Sequence, residues 1–123
     1  MVAYIQQHLG NLAWSQGDVP TAQNYLEQSL SLYRAQGNLY RQAGNLNDLG
    51  AVYSVGRGEL TEGAAYFSAA LALYRQLGNE LGQTLPLGNL GYIALFRADY
   101  ATARQRFEEE RVIGERLGVA GVL

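Results

Sequence analysis

The sequence predicts an all-α protein made of three antiparallel helix pairs, and three observations support that fold class. A set of residues recurs at a period of about 40 along the 123-residue chain. Within each unit, apolar residues fall three and four positions apart, which is the spacing of one helix face. Asp and Gly stand where helices are expected to begin and end. Six helices are therefore predicted, at about 2–16, 19–36, 39–56, 60–77, 80–97 and 100–117.

A Leu-Gly pair marks the first helix of each unit, and it returns after 40 and then 41 residues. Glycine inside a helix costs about 1 kcal/mol relative to alanine, so its recurrence predicts close contact with another helix. The second unit holds one extra residue near Arg57, where a turn tolerates an insertion. The units are 1–38, 39–79 and 80–118, with 119–123 as the start of a truncated further helix. The three pairs are Leu9-Gly10, Leu49-Gly50 and Leu90-Gly91.

The predicted helix ends carry residues that favour them. Asp18 and Asp99 stand at N-cap positions, and Pro20 falls in a first turn, where its missing N–H does no harm. Pro86 falls inside the fifth helix, which predicts either a kink or a late start at Thr84. Left-handed residues are predicted just beyond the second helices, at Gly37, Gly78 and Gly118.

Composition excludes several classes of function. Hydrophobic residues make up 48% of the chain, which favours a packed core over disorder. No apolar run approaches the roughly 20 residues of a membrane span, and no signal peptide is visible. Nine scattered basic residues and a net charge of −2 lack the basic stripe that binds nucleic acid directly. A cytoplasmic protein is expected.

The sequence contains no pattern typical of an enzyme. Cysteine is absent, and His8 is the only histidine, so neither a nucleophile with its base nor a metal cluster is predicted. Glu108, Glu109 and Glu110 lie next to arginines at helix spacing, which favours a solvated, ion-paired face. The glycines do not form a phosphate-binding loop. We therefore expect no catalytic residue, no cofactor and no metal.

The repeated residues resemble the tetratricopeptide repeat: Leu9-Gly10 in the first helix, Gly17-Asp18 at the turn, then Ala22. That repeat has 34 residues and usually ends in proline, whereas the units here are longer and lack the proline. The longer form is similar to arrays in large bacterial signalling proteins, including LuxR-type ATP-dependent transcription regulators and NTPase-linked repeat proteins, and in animal spindle-orientation adaptors. The resemblance implies a right-handed superhelical array.

The resemblance also implies a concave groove, lined by the first helices, that binds a protein or peptide. Chaperone-binding members hold a terminal carboxylate with Lys, Asn and Arg, but the matching positions here keep only asparagines. A carboxylate clamp is therefore not expected. The groove is instead rich in amides at its centre and aromatic at both ends. Its predicted binding residues are Tyr4, Gln7, Asn11, Trp14, Asn47, Ser54, Tyr92 and Phe96.

Two functions remain open at this point. The first is an interaction scaffold in a bacterial regulatory or signalling protein, with the groove as its binding site. The second is a self-assembly module, in which the aromatics pack inside the array or against another copy. Glu110 and Arg111 predict a last helix that partly faces water, whereas 119–123 is apolar. An uncovered apolar end favours a homodimer.

Overall fold

The computed structural model describes residues 1–118, and within them every regular element is helical. The predicted start of a further helix at 119–123 lies outside the described residues. The six predicted helices are confirmed, with ends that agree or differ by one residue apart from the end of the third helix. The elements are α1 (Val2–Ser15), α2 (Val19–Gln36), α3 (Leu39–Ala51) with a π-helical turn (Val52–Gly56), α4 (Leu60–Gln76), α5 (Glu80–Phe96) and α6 (Tyr100–Leu117).

Consecutive helices pack side by side and run antiparallel. In the first pair, the Ser29 hydroxyl donates to the Ala3 carbonyl across 2.7 Å, while Leu26 packs beside Gly10. Residues early in α1 thus contact residues late in α2. Apolar side chains between the pairs form two core clusters, one centred on Leu49 and the other on Leu87. Most of the apolar surface of α2 to α5 is buried by neighbouring helices, whereas a stripe of α1 stays exposed.

The glycines of the three Leu-Gly pairs lie where paired helices approach most closely. A Cβ atom at Gly10 would be 2.8 Å from the Leu26 side chain, and one at Gly50 would be 2.5 Å from the Phe67 ring. At Gly91 the corresponding distance to Phe107 is 2.7 Å. Real Cβ contacts are longer than these distances, so alanine there would push the helices apart. The predicted close contact is confirmed.

The predicted helix ends are also confirmed. Asp18 and Asp99 each accept a hydrogen bond from the backbone N–H three residues later, at 3.3 Å and 3.2 Å. Asn38 and Asn79 cap α3 and α5 in the same way. Gly37, Gly78 and Gly118 are left-handed, with φ between 65° and 67°. These side-chain and glycine caps satisfy backbone groups that have no partner inside their helix.

The start of α5 corrects one prediction. The helix begins at Glu80 and continues through Pro86, so a late start at Thr84 is wrong. Asn79 fixes the earlier start, because its side chain accepts the Gly82 N–H at 2.8 Å. Pro86 is fully buried in the core. Burial of its ring offsets the helical hydrogen bond that its nitrogen cannot donate.

The extra residue of the second unit lies in the π-helical turn and not in the loop that follows. The Glu59 N–H bonds to the Tyr53 carbonyl, six residues earlier, at 2.8 Å. The equivalent Asp18 and Asp99 bond five residues back. The turn therefore absorbs the insertion by widening the helix end, as π-bulges do. It brings Ser54 against α4, where the second unit has Gly63 in place of alanine.

Gly63→Ala is expected to destabilise the protein by about 1–2 kcal/mol, because overpacking exceeds the gain in helix propensity. The new Cβ would be 2.6 Å from the Ser54 Cβ and 3.0 Å from two backbone atoms. Gly44→Ala is the matched control. Its Cβ would meet only ordinary contacts at 3.7 Å and 3.8 Å, so a gain of about 0.5–1 kcal/mol is expected. Urea unfolding measures both; equal effects would contradict the close contact at Gly63.

Candidate functional site

The first helices of the three pairs, α1, α3 and α5, carry the residues predicted to bind a partner. Between α3 and α5, the Asn89 Nδ2 donates to the Asn47 Oδ1 at 3.2 Å. We call the surface formed by α1, α3, the π-helical turn and α5 the first-helix face. Two pockets lie on it, one on either side of the hydrogen bond between Asn47 and Asn89. One is mainly apolar and lies between the π-helical turn and α5. The other is more polar and lies among α1, α3 and α5.

The apolar pocket has a volume of about 710 Å³, which is ample for one or two large side chains. Three of the predicted residues line it: Ser54, Tyr92 and Phe96. Tyr92 and Phe96 are 59% and 77% exposed, and Val55 beside them is also exposed. The Ser54 hydroxyl donates to the Gly50 carbonyl at 2.7 Å, so its proton is already used inside the helix. The pocket thus offers mainly apolar surface to a ligand.

Two local features shape the apolar pocket. The π-helical turn carries Ser54 and Val55 to its wall, so the inserted residue helps to build it. The Tyr92 ring packs edge-on against Phe107, with 5.3 Å between the ring centroids. That contact orients Tyr92 while leaving more than half of the side chain exposed. A pre-oriented aromatic loses little entropy when a ligand binds.

The polar pocket has a volume of about 200 Å³, and the predicted residues Gln7 and Asn47 line it. Asp48 also lines it, and sequence reasoning missed this residue. Burial raises the pKa of the Asp48 carboxyl, while hydrogen bonds with Gln7 and Asn11 and the nearby His8 lower it in part. A signal for Asp48 was present, since the residue before each Leu-Gly pair is polar in all three units.

Aromatic and basic side chains form the rim of the polar pocket. The Arg41 guanidinium lies 5.2 Å from the centroid of the Tyr4 ring and 5.9 Å from that of Tyr40. The Tyr4 ring in turn packs edge-on against His8, with 4.2 Å between the ring centroids. These cation–π contacts direct Arg41 towards the two tyrosine rings. Among residues 1–118, neither Arg41 nor Asp48 forms a salt bridge.

The eight predicted residues therefore do not form one continuous groove. Gln7 and Asn47 line the polar pocket with Tyr4 and Asn11 close by, and three residues line the apolar pocket. Trp14 belongs to neither pocket. It is half-buried against the core, and a Cβ on Gly56 would lie 2.8 Å from its ring. The alternative of internal packing, which the sequence left open, therefore describes Trp14.

The acidic run on α6 is mostly ion-paired. Glu108 bonds to Arg111 at 2.8 Å, and Glu109 bonds to Arg75 at 2.7 Å. These exposed pairs contribute at most about 1 kcal/mol each. Glu110 differs, because it is half-buried close to Gly88 of α5 and burial raises its pKa. The three carboxylates thus point to different partners and do not converge on one site.

In the described part of the chain, no three His, Asp or Glu residues are grouped where they could hold a metal ion. None of the helices in residues 1–118 has the length and apolar character needed to cross a membrane. No protein-family model matches the sequence, and no curated protein matches it either.

Asp48→Asn is expected to raise the free energy of unfolding at neutral pH. The pKa of Asp48 is higher in the folded state than its ordinary value of 3.8, so folding is disfavoured when the carboxyl is ionised. The stabilisation should be absent near pH 3.5 and should grow as the pH rises above about 4. Urea midpoints of variant and wild type, measured between pH 3.5 and 7.5, give this difference.

Asp99→Asn is a control for which the free energy of unfolding should change in the opposite direction. The hydrogen bond from Thr102 lowers the pKa of the Asp99 carboxyl, so its ionised form stabilises the fold. That variant should be less stable than the wild type above the ordinary pKa of 3.8, and the deficit should shrink as the pH falls through the lowered pKa of the folded state. If the difference in unfolding free energy between Asp48→Asn and the wild type does not change with pH, burial of the Asp48 carboxylate has no cost.

Proposed function

We propose that this chain is a protein-interaction scaffold that binds a peptide or protein segment along the first-helix face. Three antiparallel helix pairs with matching glycine contacts support a tetratricopeptide-like array, and stacking of such pairs would give a right-handed superhelix. The proposed setting is a cytoplasmic bacterial regulatory or signalling protein, which follows from the resemblance of the long repeats to arrays in such proteins.

One observation carries the binding proposal: the first-helix face holds a large apolar pocket with exposed aromatic walls. Val55, Tyr92 and Phe96 expose apolar surface together at one place, and such contiguous surface marks interaction sites. Burying one large apolar side chain there is worth about 1.5–3 kcal/mol. Several such contacts would exceed the ordering cost of a short peptide.

The polar groups between the two pockets suit a peptide backbone. Asn47 and Asn89 use one hydrogen bond between themselves, and each amide has further bonding capacity. Gln7 of α1 lines the polar pocket beside Asn47. Amide side chains of this kind can donate to carbonyls and accept from N–H groups of an extended segment.

Phe96→Ala is expected to weaken peptide binding at least tenfold, because the ring loses its contact with the ligand. Peptides selected from a random display library against the purified chain supply the probes, and fluorescence anisotropy gives their affinities. Since Phe96 is 77% exposed, the substitution should leave the melting temperature nearly unchanged.

Tyr100→Ala is the matched control for that experiment. Tyr100 is a similarly exposed aromatic at the start of α6 and does not line the apolar pocket. Its removal should leave the affinities unchanged. If the selected peptides bind the Phe96 and Tyr100 variants equally well, the apolar pocket is not the binding site.

A second candidate function is self-assembly through α1, and a specific observation favours it. One stripe of α1 is apolar and more than a third exposed: Val2, Ile5, Leu9 and Leu12. The matching positions of α3 are at most 8% exposed, because α2 covers them: Gln42, Asn45, Leu49 and Val52. The other helices of residues 1–118 leave the α1 stripe uncovered. The α1 stripes of two copies could cover one another across a twofold axis.

Ile5→Lys should convert a self-associating chain to a monomer, because the charge would be buried between the two α1 helices. Light scattering across a range of protein concentrations measures the mass. Val112→Lys is the control, since Val112 is similarly exposed on α6. The ion-paired outer side of α6 argues against end-to-end stacking. A wild-type mass equal to the monomer at every concentration would rule out this second candidate.

A further inference from the structure

The first-helix face holds one acidic side chain that forms no salt bridge within residues 1–118. In α1, α3 and α5 the only carboxylates are Glu80 and Asp48. Glu80 lies at the first turn of α5 and pairs with Arg116 at 2.8 Å. Asp48 lies in the polar pocket, and within residues 1–118 no Lys or Arg approaches it closely enough for a salt bridge. Its site therefore favours a cation from outside the chain.

Polar groups near Asp48 compensate only part of its burial. Gln7, His8 and Asn11 of α1 lower the pKa of its carboxyl, but burial raises it more. Amide partners offset part of the desolvation cost, whereas a positive charge would offset more and gain a charge-assisted hydrogen bond. A cation from a ligand would thus offset the part of the desolvation cost of Asp48 that the fold leaves uncompensated.

The walls of the polar pocket suit a long basic side chain. A volume of about 200 Å³ accommodates an ammonium or guanidinium head with part of its stem. Tyr40, Tyr74 and Leu85 line the pocket and offer aromatic and apolar surface to the methylene groups. Arg41, the other charged residue of the pocket, lies over the rings of Tyr4 and Tyr40 at its rim.

The distance between the two pockets limits the ligand further. Asp48 and Val55 are seven residues apart on α3 and its π-helical turn, which corresponds to about 10 Å along the helix axis. An extended peptide advances about 3.3 Å per residue, so about three residues cover that distance. Asn47 and Asn89 lie between the pockets, where the peptide backbone would pass.

We propose that the first-helix face recognises an extended peptide that carries a Lys or Arg side chain three residues from a large apolar side chain. The basic residue binds Asp48 in the polar pocket, and the apolar residue binds between Val55 and Phe96. This inference rests on the proposed function, since it names the chemistry of the ligand for the same surface.

The test uses fluorescein-labelled, C-terminally amidated peptides of the form Gly-Ser-X-Ser-Gly-Phe-Ser-Gly and their reversed sequences. X is lysine, the uncharged straight-chain residue norleucine, or glutamate. The wild-type chain should bind the better lysine peptide at least tenfold more tightly than the norleucine peptide, with glutamate weakest. Rising salt should weaken only the lysine peptide markedly, because a charge pair is screened.

Variants assign that preference to Asp48. Asp48→Asn should abolish the difference between lysine and norleucine while retaining binding of both. Glu80→Gln removes the other carboxylate of the face and should keep the difference. This inference alone is overturned if the wild type binds the lysine and norleucine peptides equally, or if the preference for lysine persists in Asp48→Asn. If no peptide shows binding that depends on Phe96, the proposed peptide-binding function fails with it.

Discussion

The arrangement of the whole chain depends on the close contact between each Leu-Gly pair and the second helix of its unit. Because glycine has no side chain, the backbone of the first helix comes within contact distance of Leu26, Phe67 or Phe107. The same contact occurs three times, so each first helix is set in the same way against its partner. Side chains at matching positions of α1, α3 and α5 therefore contribute to one face, where both pockets lie.

The π-helical turn shows how a single inserted residue can create part of a binding surface on a repeated framework. The close contact at Gly50 is unchanged upstream of the insertion. Downstream, the widened turn moves Ser54 towards α4 and leaves Val55 exposed at the wall of the apolar pocket. Gly63 accommodates this change, whereas the other units have room for alanine. The feature that departs from the repeat is thus also the one that shapes the pocket.

Sequence reasoning predicted the features that local chemistry determines and missed those that depend on tertiary neighbours. Asp18 and Asp99 cap their helices, and the left-handed glycines follow theirs, because each effect acts within a few residues. The predicted start of α5 at residue 80 is confirmed, but the alternative of a late start at Thr84 is wrong, because the burial of Pro86 is a property of the core. The roles of Trp14 and Asp48 likewise depend on residues of other helices. Ser54, Tyr92 and Phe96, which the tetratricopeptide resemblance placed in one groove, do line one pocket.

The residue before each Leu-Gly pair shows how stability and recognition are divided between positions. It is His8 in α1, Asp48 in α3 and Asn89 in α5; the leucine that follows is buried in α3 and α5 and partly exposed in α1. The fold tolerates histidine, aspartate or asparagine there, because helix pairing depends on the glycine and the large apolar side chain that packs against it. Asp48 is nevertheless costly, since burial raises its pKa. It lines the polar pocket and forms no salt bridge within residues 1–118, and this placement supports the proposed recognition of a basic side chain on the first-helix face.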